Sequence, residues 1–505
     1  VGEAPGLSSA IEAALSSHEF RVRQILPGSR NRSLGNHRYE VDLSSPEAVQ
    51  RWHASVVGEG TVVGAVFNFL GLAERFARPG CHPQPAPLEL ALGLFNLFKQ
   101  VGADLRQSAK RDGGWAFNFT SLGGKFGVGA SEPLPVAQAP TIGMFKTLKR
   151  EWPELFVKTL DLDLTADSNL LFSQLIDEIT TDDGQVEIGL DGSNRWRIAL
   201  NDQPGTETLN SLALDSASVV LITGGAYGVT ADVAKALACQ ARPRLILVGR
   251  SPLPDAEPEE TRMLTDVAAL RRHLITTMRA QSSTVLPAEI ERSLSRILKD
   301  RQIRANLAAM QQAGATVEYH SVDVRHAEQF GALLDDLYAR WGRIDGVIHG
   351  AGVIEDTFIS RKTPQSFANV FSTKVDSALI LAHKLRPERL QFLVFFSSVA
   401  GRFGNLGQID YSAANEYLNK LADHLARQWP GRVVAVNWGP WDAGMISDEL
   451  RRLYRARGVA MIPVDEGARL FLDELRRGKQ APAEVVIACS LNALATSAPL
   501  EASQT

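Results

Sequence analysis

The chain has 505 residues, 45% hydrophobic and 22% charged, an ordinary globular composition with ample material for buried cores. With 53 basic against 57 acidic residues the net charge is −4, which argues against a nucleic-acid binder relying on a broad basic field. Cys81, Cys239 and Cys489 lie far apart with no C-x-x-C pair, which argues against a disulfide framework or cysteine zinc site and fits a reducing cytosol, and no run of about 18 apolar residues marks a transmembrane helix.

Size alone predicts roughly three domains, or two large ones. The first residue is Val1, and no charged stretch followed by an apolar run opens the chain, so no secretory signal is read there. Excision from a longer polypeptide accounts for this start, with loss of an initiator methionine as the alternative.

The first 210 residues carry a weakened α/β pattern that repeats later. Phe119-Thr120-Ser121-Leu122-Gly123-Gly124-Lys125-Phe126-Gly127 matches Phe396-Ser397-Ser398-Val399-Ala400-Gly401-Arg402-Phe403-Gly404 at an offset of 277, and the same offset carries Trp152-Pro153 onto Trp429-Pro430. Tyr39-Glu40-Val41-Asp42 echoes Tyr319 to Asp323 at a slightly different spacing. Two related α/β halves are expected, with a seam in the polar stretch Asn201 to Ser216.

Beyond the seam, short apolar runs of the buried parallel-strand kind alternate with amphipathic stretches. The runs are 219–222, 245–248, 346–348, 392–396, 433–436 and 485–488, with helices over 231–241 and 330–341 between them. This rhythm predicts a doubly wound, Rossmann-like α/β fold. The segment 253–303 interrupts it with two helical stretches, 261–279 and 287–301, rich in Arg, Leu and Glu. Either a docking surface for a neighbouring domain or a plain insertion fits this pair.

The glycine-rich turn Thr223-Gly224-Gly225-Ala226-Tyr227-Gly228-Val229-Thr230 follows the run 219–222 and opens a helix. Glycines there permit close approach of a pyrophosphate, and the helix N-terminus supplies N–H groups and partial positive charge. The next run ends in Gly249-Arg250-Ser251, where an acidic residue would hold a ribose 2′-hydroxyl. Arg250 suits a 2′-phosphate instead, so NADPH is expected over NADH. Ser398 lies just past the run 392–396, where open α/β sheets place their ligands, and Tyr411 and Asn415 share one helix face. A tyrosine beside a serine hydroxyl can donate a proton to a developing alkoxide when a cation lowers its pKa. Singly, Ser398 also fits a helix cap, Tyr411 a core tyrosine and Asn415 a surface residue.

Together these residues resemble the short-chain dehydrogenase/reductase superfamily, and specifically the ketoreductase domains of modular polyketide synthases and polyunsaturated fatty acid synthases. The resemblance rests on 223–229, Asp323-Val324, His349-Gly350-Ala351-Gly352, Ser397-Ser398-Val399-Ala400-Gly401, Tyr411-Ser412-Ala413-Ala414-Asn415 and Asn437-Trp438-Gly439-Pro440-Trp441. It implies a structural, non-catalytic Rossmann-like subdomain over 1–212 and a catalytic subdomain over 213–495. At the offset of 277 the first half places Leu134 against Tyr411 and Gln138 against Asn415; only Ser121, against Ser398, is kept. In most of the superfamily a lysine follows the tyrosine by four; here that place is Asn415, and the lysine maps to Lys374. The resemblance assigns Lys374, Ser398, Tyr411 and Asn415 to catalysis. It assigns Thr223, Gly224, Gly225, Tyr227, Gly228, Val229, Arg250, Ser251, Asp323, Val324, Gly350, Ala351 and Gly352, with Lys374 and Tyr411, to NADPH, Asp323 at the adenine and Gly350 to Gly352 beside the nicotinamide. No metal is implied.

The implied reaction reduces a 3-oxoacyl thioester, borne on the phosphopantetheine arm of an acyl carrier protein, among neighbouring synthase domains in the cytoplasm. A redox-inactive scaffold domain and a free-standing reductase of small alcohols or sugars are the alternatives. Thr230 departs from the family by standing where a third glycine is usual, so either its small hydroxyl side chain fits there or the turn is wider. The long insertion is closest to those of iterative polyunsaturated-fatty-acid or enediyne-type synthases. Ile354-Glu355-Asp356 stands where one stereochemical class carries Leu-Asp-Asp, and Phe403 where the other carries tryptophan; both imply a D-hydroxy product.

Overall fold

The computed structural model describes residues 1–491 except 5, 17–20, 58–61, 82–86, 112, 202–208, 282–283, 444–447 and 457. Part of the expected seam, and positions 492–495 of the expected catalytic subdomain, lie outside the described residues. In chain order the strands are β1 Gln24–Pro27, β2 Arg32–Gly35, β3 Arg38–Val41, β4 Ala65–Asn68, β5 Trp115–Thr120, β6 Phe156–Leu162, β7 Glu187–Leu190, β8 Arg195–Trp196, β9 Val219–Thr223, β10 Arg244–Gly249, β11 Thr316–Ser321, β12 Gly346–His349, β13 Phe392–Ser398, β14 Arg432–Trp438 and β15 Glu484–Ile487.

The last seven form one sheet in the order β11-β10-β9-β12-β13-β14-β15, every neighbouring pair parallel. Helices cover both faces, so the inner strands read as unbroken apolar runs: all of Val219–Thr223 and all of Arg432–Trp438 are buried. Edge strand β11 is only half-buried and is correspondingly polar. The order reverses between β9 and β12, which opens a crevice at their carboxyl ends.

Earlier in the chain, β4-β5-β6-β7 run parallel and β8 closes the sheet antiparallel. β1, β3 and β2 make a separate three-stranded sheet, with β1 and β3 parallel. Val1 and Gly2 lie between the two sheets: the Val1 amino group donates to Phe67 O at 2.6 Å and Gly2 N to Ile25 O at 2.7 Å. Tyr39 therefore sits outside the main early sheet, whereas Tyr319 belongs to the seven-stranded one.

The helical insertion differs from expectation. The stretch 261–279 is broken into Glu259–Arg262 and Val267–Gln281, and the second helix runs on from Pro287 to Gln312, directly into β11. At the break Asp266 accepts the Ala269 N–H at 2.8 Å as a new cap, and the Arg301 guanidinium donates to the freed carbonyls of Thr261 (2.6 Å) and Leu264 (2.9 Å). The long helix continues because Ile290, Leu294, Ile303, Asn306 and Met310 form one buried stripe along it.

The helices Pro87–Ser108 and Ala139–Glu151 pack against Pro364–Lys384 and Ile409–Gln428. A Cβ at Gly143 would lie 2.3 Å from Ser412 O, so only glycine lets the two backbones come this close. Thr147 Oγ1 donates to Ser412 Oγ at 2.9 Å, and the Phe95 and Phe367 rings stack 4.8 Å apart. Arg150 Nε donates to Phe403 O at 2.8 Å, and Arg427 Nη2 to Gly127 O at 2.6 Å. The two arginines are related by the sequence offset of 277 and their acceptors fall one residue off it, so the same kind of contact is made once in each direction.

Candidate active site

Strand β9 ends in the glycine turn. Gly224 has φ +74° and Gly228 φ +63°, and a Cβ at Gly228 would meet nothing within 4 Å. The helix Gly228–Ala241 starts at Tyr227 without a side-chain cap, which leaves its first N–H groups open at the crevice. An uncapped N-terminus beside the open Gly228 fits a phosphate group. Gly350 N donates to Thr223 O at 3.1 Å and the Thr223 hydroxyl accepts from Ala351 N at 3.1 Å, which binds the two crevice loops together.

Thr230 lies inside the helix, buried against Gly350; a Cβ on Gly350 would come within 2.5 Å of its side chain. The missing side chain at Gly350 makes room for the threonine, so of the two alternatives the small side chain fits. Arg250 and Ser251 are exposed at the end of β10, and Tyr319 Oη donates to Ser251 O at 2.6 Å. The Asp323 carboxylate, next to buried Val324, is held by Arg325 at 2.6 Å, which keeps it below the usual carboxylate range. Among the described residues no group of three His, Cys, Asp or Glu could hold a metal ion.

Across the crevice, the helix Pro364–Lys384 carries buried Lys374, whose Nζ donates to Phe396 O at 2.7 Å and lies 5.4 Å from the centre of the Tyr411 ring. Burial pulls this ammonium down to about 7. Tyr411, in the first turn of Ile409–Gln428, is raised by burial, while Asn415 and Ser398 hydrogen bonds oppose the rise. Asn415 Nδ2 donates to Tyr411 O at 2.7 Å, and its buried Oδ1 has no hydrogen-bond partner among the described residues. Ser398 ends β13 and also caps the next helix, accepting from Ala400 N at 3.2 Å. Lys374, Ser398, Tyr411 and Asn415 thus come together beside Gly350 to Gly352, while Arg250, Ser251 and Asp323 lie along the other side of the crevice.

Three supporting residues carried no role in the sequence reading. His349 is fully buried; Nε2 faces Lys374 O at 3.0 Å and Nδ1 faces the Thr223 hydroxyl at 2.8 Å. A carbonyl only accepts, so Nε2 bears the proton, and burial holds the ring neutral with its pKa near 3. It locks the helix carrying Lys374 to the end of β9. Asn306, from the insertion, donates to Ala226 O at 3.0 Å and steadies the glycine turn. His349 belongs to one of the motifs quoted above but was given no role there, and Asn306 had no motif signal at all. Glu151 is the third: its Oε2 accepts from Ile359 N at 2.8 Å and its Oε1 from Gly407 N at 3.0 Å. Burial pushes its carboxyl to about 7 against those two bonds and the nearby Lys362 charge.

Residues 218–443 match the model of the KR domain family. Over 397 residues the chain is 29% identical to a polyunsaturated fatty acid synthase polypeptide of Thraustochytrium sp., a match covering 75% of this chain and 13% of that protein. It is 28% identical over 268 residues to the polyketide synthase PksN of Bacillus subtilis, covering 51% of this chain and 4% of that one. The chain therefore spans a small part of the length of these relatives. Among solved structures, an N-terminal ketoreductase from the macrolactin assembly line matches 98% of this chain and 88% of its own with a TM-score of 0.69 at 20% identity. The ketoreductase from the first module of phoslactomycin biosynthesis in Streptomyces sp. HK803 matches 81% of this chain and 84% of its own, with a TM-score of 0.58 at 25% identity.

The fit of Thr230 against Gly350 is testable by a double-mutant cycle. Gly350→Ala should destabilise the fold by about 1–3 kcal/mol through overpacking. Adding Thr230→Gly should restore most of that loss. Urea midpoints of the four proteins, with nicotinamide dinucleotide affinities alongside, give the coupling; strictly additive effects would show that the two residues do not compete for one space.

Proposed function

Through residues 218–443 this chain belongs to the KR domain family, and we propose that it reduces a 3-oxoacyl thioester on acyl carrier protein to the D-3-hydroxyacyl thioester, using NADPH. The observation that carries the reading is the convergence of Lys374, Ser398 and Asn415 on Tyr411 at the end of β13. When bound, NADPH supplies the hydride that reduces the β-carbonyl carbon.

The chain's own groups handle the oxygen. Ser398 hydrogen-bonds the carbonyl and favours its polarised state. Tyr411 donates its phenolic proton to the forming alkoxide. Lys374, as an ammonium beside the ring, lowers the phenol pKa and contacts the ribose. Asn415 Oδ1 orients Lys374 or a relay water. The turn 223–229 cradles the pyrophosphate, Arg250 holds the 2′-phosphate, Asp323 meets the adenine and Gly350 to Gly352 border the nicotinamide. Residues 1–212 form a non-catalytic subdomain and 213–495 the catalytic one. In the former, Gln138 Nε2 donates to Ser121 Oγ at 3.0 Å, which occupies the one hydroxyl matched to Ser398. The partners are acyl carrier protein and neighbouring synthase domains.

Tyr411→Phe keeps the ring and removes the proton donor, so turnover of a 3-oxoacyl N-acetylcysteamine thioester should fall roughly 10²–10⁴-fold with NADPH affinity kept. Near-normal turnover would dismiss Tyr411 as the acid. For cofactor choice, Arg250→Ala should weaken NADPH roughly ten- to a hundredfold and NADH little. Equal losses in titrations of both cofactors would make the arginine structural. Stereochemistry is read by chiral chromatography of the reduced diketide thioester, with the D-hydroxy product expected to dominate; an L-hydroxy product would contradict the configuration implied by Ile354-Glu355-Asp356.

A further inference from the structure

Two loops flank the approach to Tyr411. One runs from Ile354 to Lys362, between β12 and the helix that bears Lys374; the other, from Gly404 to Gln408, precedes Tyr411. They are joined to each other. Thr357 N donates to Gly407 O at 2.9 Å, and Gln408 Nε2 donates to Asp356 Oδ2 at 2.8 Å. Lys362 Nζ closes the base of the first loop on Glu355 O and pairs with Asp410, each at 2.7 Å.

One side chain from outside the catalytic part grips both loops. Glu151 ends the helix Ala139–Glu151 and gives one carboxylate oxygen to each loop's main chain, at Ile359 and at Gly407. Seam packing by itself does not demand this. The arginine pair Arg150 and Arg427 makes its contact in both directions, but the residue matched to Glu151 by the same offset is Gln428. Gln428 turns to its own helix, with Nε2 3.1 Å from His424 Nε2. The grip exists only in the direction of the catalytic loops. A partly buried carboxylate is costly unless its oxygens are used, and both are.

We propose that Glu151 is a positioning residue for the acyl substrate, fixing from the non-catalytic part of the chain the two loops between which the thioester arm must pass. This rests on the reading that Tyr411 reduces a thioester-borne ketone. Glu151→Gln tests it with little change of shape, because the amide accepts one main-chain N–H and presents an N–H to the other. In the whole chain, E151Q should raise KM for a 3-oxoacyl thioester about tenfold, with a smaller change in kcat. The loss should be greater than for trans-1-decalone, which has no thioester arm. The D-to-L ratio of the product should fall. NADPH affinity, which also reports correct folding, should stay within about twofold, since the glycine turn lies beyond the loops. Glu151→Asp, which retains both acceptors on a shorter stem, should be intermediate and serves if E151Q does not fold. Hydrogen exchange gives a readout independent of turnover: amides at Ile359 and Gly407 should exchange about tenfold faster in E151Q, with those of 224–229 unchanged. Faster exchange beside an unchanged KM and product ratio overturns this proposal alone, as does unchanged exchange at both amides. Wild-type protein that reduces no 3-oxoacyl thioester overturns the functional reading and the proposal together.

Discussion

The approach of two helices, Ala139–Glu151 and Ile409–Gln428, sets the geometry of everything around Tyr411. Gly143 brings the backbones into contact at Ser412, one residue beyond the tyrosine. Gly404 performs the same service on the other side, where a Cβ would lie 2.6 Å from the Lys146 main chain. Interiors packed at this density do not deform smoothly, so a side chain at either glycine displaces the helix that carries Tyr411 and Asn415. The reciprocal contacts of Arg150 and Arg427 hold both ends of the same interface.

Charges buried at that seam fix its register. Lys146 lies 3.1 Å from both Glu187 and Glu416 and donates to Gly401 O at 2.9 Å. Arg402, four residues after Ser398, pairs with Glu187 and lies 3.6 Å from Glu484, and Lys420 lies 3.5 Å from Glu484. The desolvation of such a set offsets most of its attraction, so its contribution is to specificity of docking more than to stability. Any other sliding position of the helices would strand an unpaired charge. The segment after Ser398 is thereby tied to residues more than two hundred positions away.

The glycine-turn side is organised by a different constraint, the reversal of strand order between β9 and β12. Loops leaving these strands diverge and leave the crevice in which the glycine turn opens. His349 and Thr223 span it at the base, and through the Lys374 carbonyl they connect the glycine turn to the Tyr411 side. Asn306 braces the turn from behind. The insertion is thus built into the rear wall of the crevice, where its long helix continues as the crossover leading to β11.

Much of this was legible along the chain. Five of the six apolar runs fall within inner strands of the parallel sheet, because a strand covered on both faces is largely apolar, and the sixth, 485–488, overlaps the edge strand Glu484–Ile487. The glycine turn and the Tyr411–Asn415 spacing were legible because backbone conformation and helix periodicity are local properties. The break at 263–266 and the extension of the long helix to Gln312 were not, since they depend on Arg301 capping carbonyls far behind it and on a stripe buried by another element. Nor could the order of residues assign Glu151, Lys146 or Asn306 to the site, as each is a polar residue in a helix with no local pattern, and the motif that contains His349 does not show what its ring touches. Fold class, the strand-to-helix turns and the set of chemically capable residues were written in the chain, since all of them arise from interactions within a few positions. What holds those residues in place belongs to the folded molecule, because buried charges and close glycines acquire meaning from the partner packed against them, and that partner is distant in the chain.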